Sequence, residues 1–90
     1  MFKNLEELVK IIRDRREKPQ EKSYTNKLLN DKKFSLNKIK EEIGELIEAV
    51  EKDTNKVHEA ADVVYHLLVY LEANNIKIED VLQELEKRKK

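Results

Sequence analysis

Pro19 and Gly44 are the only proline and the only glycine in a chain of 90 residues. With so few helix breakers and left-handed turn formers, helices are almost the only regular structure available to it. Charged residues make up 42% of the chain, and abundant Glu, Lys and Leu supply good helix formers. The scarcity of glycine excludes a glycine-rich phosphate loop, and the absence of cysteine excludes a disulfide scaffold or zinc ribbon. A chain of this length allows a single domain, 1–90. Its longest apolar run, Leu67–Leu71, falls far short of the roughly 20 residues of a membrane span. No basic segment followed by an apolar core opens the chain. Nineteen basic and nineteen acidic side chains cancel, which argues against nucleic-acid binding. A cytoplasmic protein without membrane contact is the expectation.

Apolar spacing predicts four or five helices. Phe2, Leu5, Leu8, Val9 and Ile12 give a helix over about residues 2–17, stopped before Pro19. Ser23 to Asn30 reads as a short helix anchored by Leu28 and Leu29. Ser35 is the predicted N-cap of a third helix whose buried stripe is Leu36, Ile39, Ile43, Leu46, Ile47 and Val50. After the polar break at Asp53, Thr54 and Asn55, Thr54 or Asn55 caps a fourth helix that runs to about Ala73. Asn74 and Asn75 provide its left-handed stop. Ile78, Val81, Leu82 and Leu85 mark a fifth helix, which gives way to a basic tail, Lys87 to Lys90. The expected fold is an all-α bundle with helices 3 and 4 as an antiparallel hairpin.

The fourth helix is apolar nearly all round. Val57, Ala60, Ala61, Leu67, Leu68 and Leu71 surround Val64 and are expected to face the core. The opposite side carries Glu59, Asp62 and His66 together with Val69, Tyr70 and Ala73. A helix of this kind needs cover on both faces, and so short a chain points to a second subunit as the second cover. Homodimerisation is therefore expected to complete the bundle.

Helix 3 carries Glu41, Glu42, Glu45 and Glu48 on an arc centred near Glu45, and helix 4 carries Glu59 and Asp62 one turn apart. Thirteen residues lie between Glu45 and Glu59, enough for a tight turn and an antiparallel return that sets the two groups face to face. Carboxylates converging in this way repel unless a cation neutralises them, and hard divalent ions such as Mg²⁺ favour all-oxygen sites. A solvated face of ordinary surface helices is the competing reading. Ser23, Tyr24, Thr25 and Lys27 offer hydroxyl and ammonium donors for phosphate or ribose oxygens, or simply cap a short helix. Arg16, in the basic end of helix 1, and Lys38, beside the acidic arc, are further candidates for phosphate contact. Each could instead serve the helix dipole or pair with a glutamate. His66 is expected to hydrogen-bond around the site or pack against it, and Tyr65 and Tyr70 to pack.

The pairing of Glu41-Glu42-x-x-Glu45 with Glu59-x-x-Asp62 resembles the metal-binding signature of the MazG-like all-α nucleoside triphosphate pyrophosphohydrolases. Ser23–Leu29, Glu59–Val69 and Ile78–Leu85 resemble, within that superfamily, the phosphoribosyl-ATP pyrophosphohydrolase family of histidine biosynthesis. The resemblance covers essentially the whole chain. It departs at two places: the family usually has glycine between the Ser-Tyr-Thr segment and helix 3, where Asn30–Lys33 stand here. The family also usually has glycine directly before the paired glutamates, where Lys40 stands here.

The resemblance implies Mg²⁺-dependent cleavage of phosphoribosyl-ATP between its α and β phosphates, with Mn²⁺ as a possible substitute. It implies Glu41, Glu42, Glu45, Glu59 and Asp62 as metal ligands. Glu42 or Glu45 would accept the proton of the attacking water, and Ser23, Tyr24, Thr25, Lys27, Arg16 and Lys38 would bind substrate. A hydrolase of canonical or damaged nucleoside triphosphates is the alternative within the superfamily. A non-enzymatic helical dimerisation module is the alternative outside it.

Overall fold

Five helices order the chain in the computed structural model, which describes residues 2–89. They are α1 (Lys3–Glu17), α2 (Tyr24–Asn30), α3 (Lys32–Lys52), α4 (Lys56–Ala73) and α5 (Ile78–Arg88), with no strand among the described residues. The all-α expectation holds, and α3 and α4 form the expected hairpin across a three-residue turn. That turn uses two left-handed residues without glycine, Asp53 (φ 54°) and Asn55 (φ 45°), residue types that tolerate this conformation. Gly44 is not needed for a turn at all; it lies inside α3, where an added Cβ would meet nothing within 4 Å.

The core joins Ile12 of α1, Leu28 and Leu29 of α2, and Leu68, Val69 and Ala73 of α4, with Leu5, Leu8, Val9, Phe34, Tyr65 and Ile78 packed around them. Asn26, buried among these helices, fastens α2 to the end of α1. Its Nδ2 donates to the Arg15 carbonyl at 2.6 Å, and its Oδ1 accepts the Gln20 N–H at 2.6 Å. At the other end, Arg13 clasps α5 and α4. It donates to both carboxylate oxygens of Glu79 at 2.7 and 2.5 Å, and to Glu72 at 3.5 Å.

Three expectations are corrected. Ser35 does not cap α3; Asp31 does, its Oδ1 accepting the Phe34 N–H at 3.0 Å, while Ser35 is buried one turn inside the helix. Asp31 also closes α2, its own N–H donating to the Lys27 carbonyl at 3.1 Å. At φ −128° and ψ 92° it needs no glycine to do both. Second, the buried seam of α3 is Ser35, Ile39, Glu42 and Ala49, so Ile43, Ile47 and Val50 point outward.

Third, the two faces of α4 are exchanged relative to the expectation. Val69, Ala73 and His66 enter the core, whereas Val57, Ala61, Val64 and Leu67 are exposed; Leu68 is buried and Ala60 and Leu71 are half-buried. The physical reason is that α1 and α2 pack on the side of α4 that carries Val69. Smaller differences lie at the helix ends. Asn55 occupies the N-cap of α4 without a side-chain hydrogen bond, and only Asn75 (φ 60°), not Asn74, is left-handed. Lys87 and Arg88 remain within α5, and Lys90 lies outside the described residues.

Candidate active site

Because the seam of α3 includes Glu42, a carboxylate is carried directly against α4. Glu42, Glu45 and Glu59 each present one ligating oxygen, all within 4.8 Å of one another, and Glu59 does the same with Asp62 and His58. Glu59 thus links two donor groups into one band across the hairpin. A cavity of about 250 Å³ opens beside it, lined by Glu45, Glu48, Lys52, Thr54, Asn55 and Glu59.

The electrostatics of the band are unfavourable as they stand. Burial pushes the Glu42 carboxyl above the usual carboxylate range, with Glu45 adding to the effect and His66 opposing it. Burial, then the charge of Glu45, pushes Glu59 up as well. Glu42 Oε2 and Glu59 Oε2 are buried, and no donor reaches either. Burying a carboxylate oxygen without a partner costs free energy unless a cation or proton compensates. The donors are oxygens, with one exposed imidazole at the rim, which is the chemistry hard divalent cations favour.

Glu41 does not join this band. It is exposed and pairs with Lys38 at 3.4 Å, and the same ammonium lies 3.7 Å from Glu42. Burial opposes the charge on Lys38, but the hydrogen bond to Glu41 and the neighbouring Tyr24 and Glu42 outweigh it, so its pKa is raised. Lys38 therefore stands beside the carboxylates as a fixed positive charge.

The hydroxyls of Ser23, Tyr24 and Thr25 each take part in a hydrogen bond within the chain, Ser23 as an acceptor only. Ser23 caps α2, its hydroxyl accepting the Asn26 N–H at 3.3 Å. Tyr24 hydrogen-bonds His66 at 2.9 Å, and Thr25 hydrogen-bonds Tyr65. Lys27 lies with its ammonium 4.3 Å from the centre of the Phe34 ring. Arg16 is not brought to the band. It donates to Glu72 at 3.0 Å, to the Glu72 carbonyl at 3.1 Å and to Asn75. Glu72 lies ten residues beyond Asp62 on α4, about 15 Å along a helix axis.

His58 and the Thr25–Tyr65 contact were not expected from the sequence. His58 sits one turn before Asp62, 3.4 Å from its Oδ2, a spacing that was readable. The Thr25–Tyr65 contact depends on how α2 lies on α4, which no local pattern encodes.

A family model described as phosphoribosyl-ATP pyrophosphohydrolase matches residues 5–89. Among curated relatives, a phosphoribosyl-ATP pyrophosphatase of Clostridium acetobutylicum is 47% identical, over 93% of this chain and 79% of its own length. One of Clostridium novyi is 44% identical over 96% and 81%, and one of Halobacterium salinarum is 42% identical over 94% and 96%. No solved structure matches significantly.

Proposed function

The chain belongs to the phosphoribosyl-ATP pyrophosphohydrolase family, and on that premise we propose that it hydrolyses phosphoribosyl-ATP to phosphoribosyl-AMP and pyrophosphate in histidine biosynthesis. Glu42, Glu45, Glu59 and Asp62 would hold Mg²⁺ or Mn²⁺, with His58 at the edge of the set. Bound there, the ion supplies charge neutralisation at the phosphate oxygens and acidifies a coordinated water. Of Glu42 and Glu45, the carboxylate that the ion leaves free would accept the proton of the attacking water. Lys38 offsets the negative charge brought by the phosphates, and Lys27 meets the extra phosphate carried by the phosphoribosyl group, which ATP lacks. The observation that carries this reading is the pair of buried oxygens, Glu42 Oε2 and Glu59 Oε2, that no protein donor satisfies.

The same reading includes a homodimer. Ile43, Ile47 and Val50 of α3 and Val57, Val64 and Leu67 of α4 form an exposed apolar face; Val57 is 85% exposed and Val50 59%. The single chain is flat, 39 × 37 × 24 Å, with a radius of gyration of 14.1 Å. A closed domain of this length would have about 12 Å. A second copy laid on this face supplies the missing layer. No helix among the described residues is long and apolar enough to cross a membrane.

Pyrophosphate release from phosphoribosyl-ATP, ATP and a panel of deoxynucleoside triphosphates, with and without Mg²⁺, tests the activity. Turnover of phosphoribosyl-ATP that requires the ion supports the reading. Preference for another nucleotide, or turnover in chelator, overturns it.

A further inference from the structure

Two neighbouring residues of α2, Tyr24 and Thr25, are hydrogen-bonded to two neighbouring residues of α4, His66 and Tyr65. His66 is buried, with the Tyr24 and Tyr65 rings edge-on to it at 5.8 and 5.1 Å. Its Nδ1 lies 2.8 Å from the backbone carbonyl of Asp62. A carbonyl only accepts, so Nδ1 carries the proton of that bond. In the neutral ring Nε2 then has a lone pair and no proton. Across the 2.9 Å contact, the Tyr24 hydroxyl is therefore the donor.

That assignment settles what Tyr24 can offer a ligand. Its only proton points at His66, so the phenolic oxygen offers any other group lone pairs alone, and the residue as a whole is 44% exposed. Lone pairs repel phosphate oxygens and accept from hydroxyl donors. Of the other hydroxyls, Thr25 meets Tyr65, and Ser23 accepts from the Asn26 N–H at the cap and keeps its own proton.

We propose that His66 is a positioning residue that clamps α2 to α4 beside Asp62 and fixes Tyr24 as a hydrogen-bond acceptor for a ribose hydroxyl of the nucleotide. Phosphates are left to the carboxylate-bound ion and to the lysines. The ribose contact rests on the nucleotide-hydrolase reading of this site; the tautomer does not.

Long-range ¹⁵N correlation spectra of the unaltered protein without substrate, at about pH 8, read the ring directly. A ring protonated at Nδ1 alone is expected, and one protonated at Nε2 or at both nitrogens overturns the proposal. Tyr24→Phe keeps the ring and removes the acceptor. Its KM for phosphoribosyl-ATP is expected to rise roughly 5- to 10-fold with kcat within about twofold, because an uncharged hydrogen bond to substrate is lost. His66→Gln retains an acceptor near the Nε2 position and should stay closer to the parent KM. His66→Asn retains only the donor near Nδ1 and should behave like Tyr24→Phe. A fall in kcat at constant KM, or equal KM for the two His66 variants at unchanged helicity, overturns the positioning role. If the unaltered protein releases no pyrophosphate from phosphoribosyl-ATP, the ribose contact falls with the functional reading, and the spectra alone decide the tautomer.

Discussion

Glu42 on α3 and Glu59 on α4 each bury one carboxylate oxygen that no donor reaches, and both are pushed towards protonation by burial and then by the same neighbour, Glu45. The hairpin holds charge that its own residues do not neutralise. Glu59→Gln or Asp62→Asn should abolish turnover while leaving helicity intact. In the parent protein, Mg²⁺ at about 100 times its dissociation constant should stabilise the fold by about 2.7 kcal/mol, and the variants should lose most of that gain. Metal-free Glu59→Gln should melt higher than the metal-free parent, because it removes one of the mutually repelling carboxylates of the band. Thermal melts with and without Mg²⁺ check each of these; a parent-like Mg²⁺ response in both variants would return the acidic band to an ordinary solvated surface.

Ile47→Lys or Val64→Lys should give a folded monomer. Both side chains are about half-exposed in the single chain (55% and 45%), so a lysine costs little within one protomer but puts charge into a paired face. Sedimentation should show 10.7 kDa for the variants and twice that or more for the parent. A parent that already sediments as the monomer rules out the paired face.

Lys27→Ala should reduce stability by only about 0.5–1 kcal/mol, the contribution of an exposed ammonium over the Phe34 ring. Its effect on phosphoribosyl-ATP should be larger, roughly 10- to 150-fold in kcat/KM, as expected for a charge-assisted phosphate contact. Slow hydrolysis of ATP, which lacks the extra phosphate, should scarcely change. Equal losses on both substrates would place Lys27 on the triphosphate instead.

The clasp between α1 and α5 should be sensitive to acid. The hydrogen bonds from Arg13 hold the Glu79 carboxyl down at about 2, below the ordinary 4.5. Since the folded pKa is the lower one, the pair stabilises the fold fully above the ordinary carboxylate value. That contribution shrinks as pH falls from about 4.5 towards 2. Urea unfolding of the parent and of Glu79→Gln between neutral pH and pH 3 should show a gap that narrows on acidification. A gap independent of pH would assign the difference to packing.

Helix number, the hairpin and the carboxylates of the band were legible because each depends on local spacing. Glu42, Glu45, Glu59 and Asp62 come together once the turn after Lys52 is short and α3 and α4 run side by side. The inward face of α4 was not legible. Both sides of that helix are apolar, and the choice is made by where α1 and α2 pack, contacts between residues 40 to 59 positions apart. Ser35 misled for a related reason. A serine before an apolar run looks like a cap, but Asp31 four residues earlier takes that role and Ser35 falls on the seam. The pairing of Arg16 with Glu72 was not legible either, because it depends on how α1 packs on α4.

Asp31 is the sole residue between α2 and α3, and it is bonded into both. A joint one residue long has no slack. One residue inserted there would add about 100° of rotation between the two helices, enough to swing Tyr24 and Lys27 off the hairpin altogether. The exposed stretch around Glu21 and Lys22, by contrast, can change length without disturbing that relationship. Indels separate the two connections more sharply than point substitutions could: tolerated in the first, ruinous at the second. The tyrosine and lysine of α2 are in effect geared to the carboxylate helix, so whatever turns α3 about its axis also re-aims the groups proposed to meet the nucleotide.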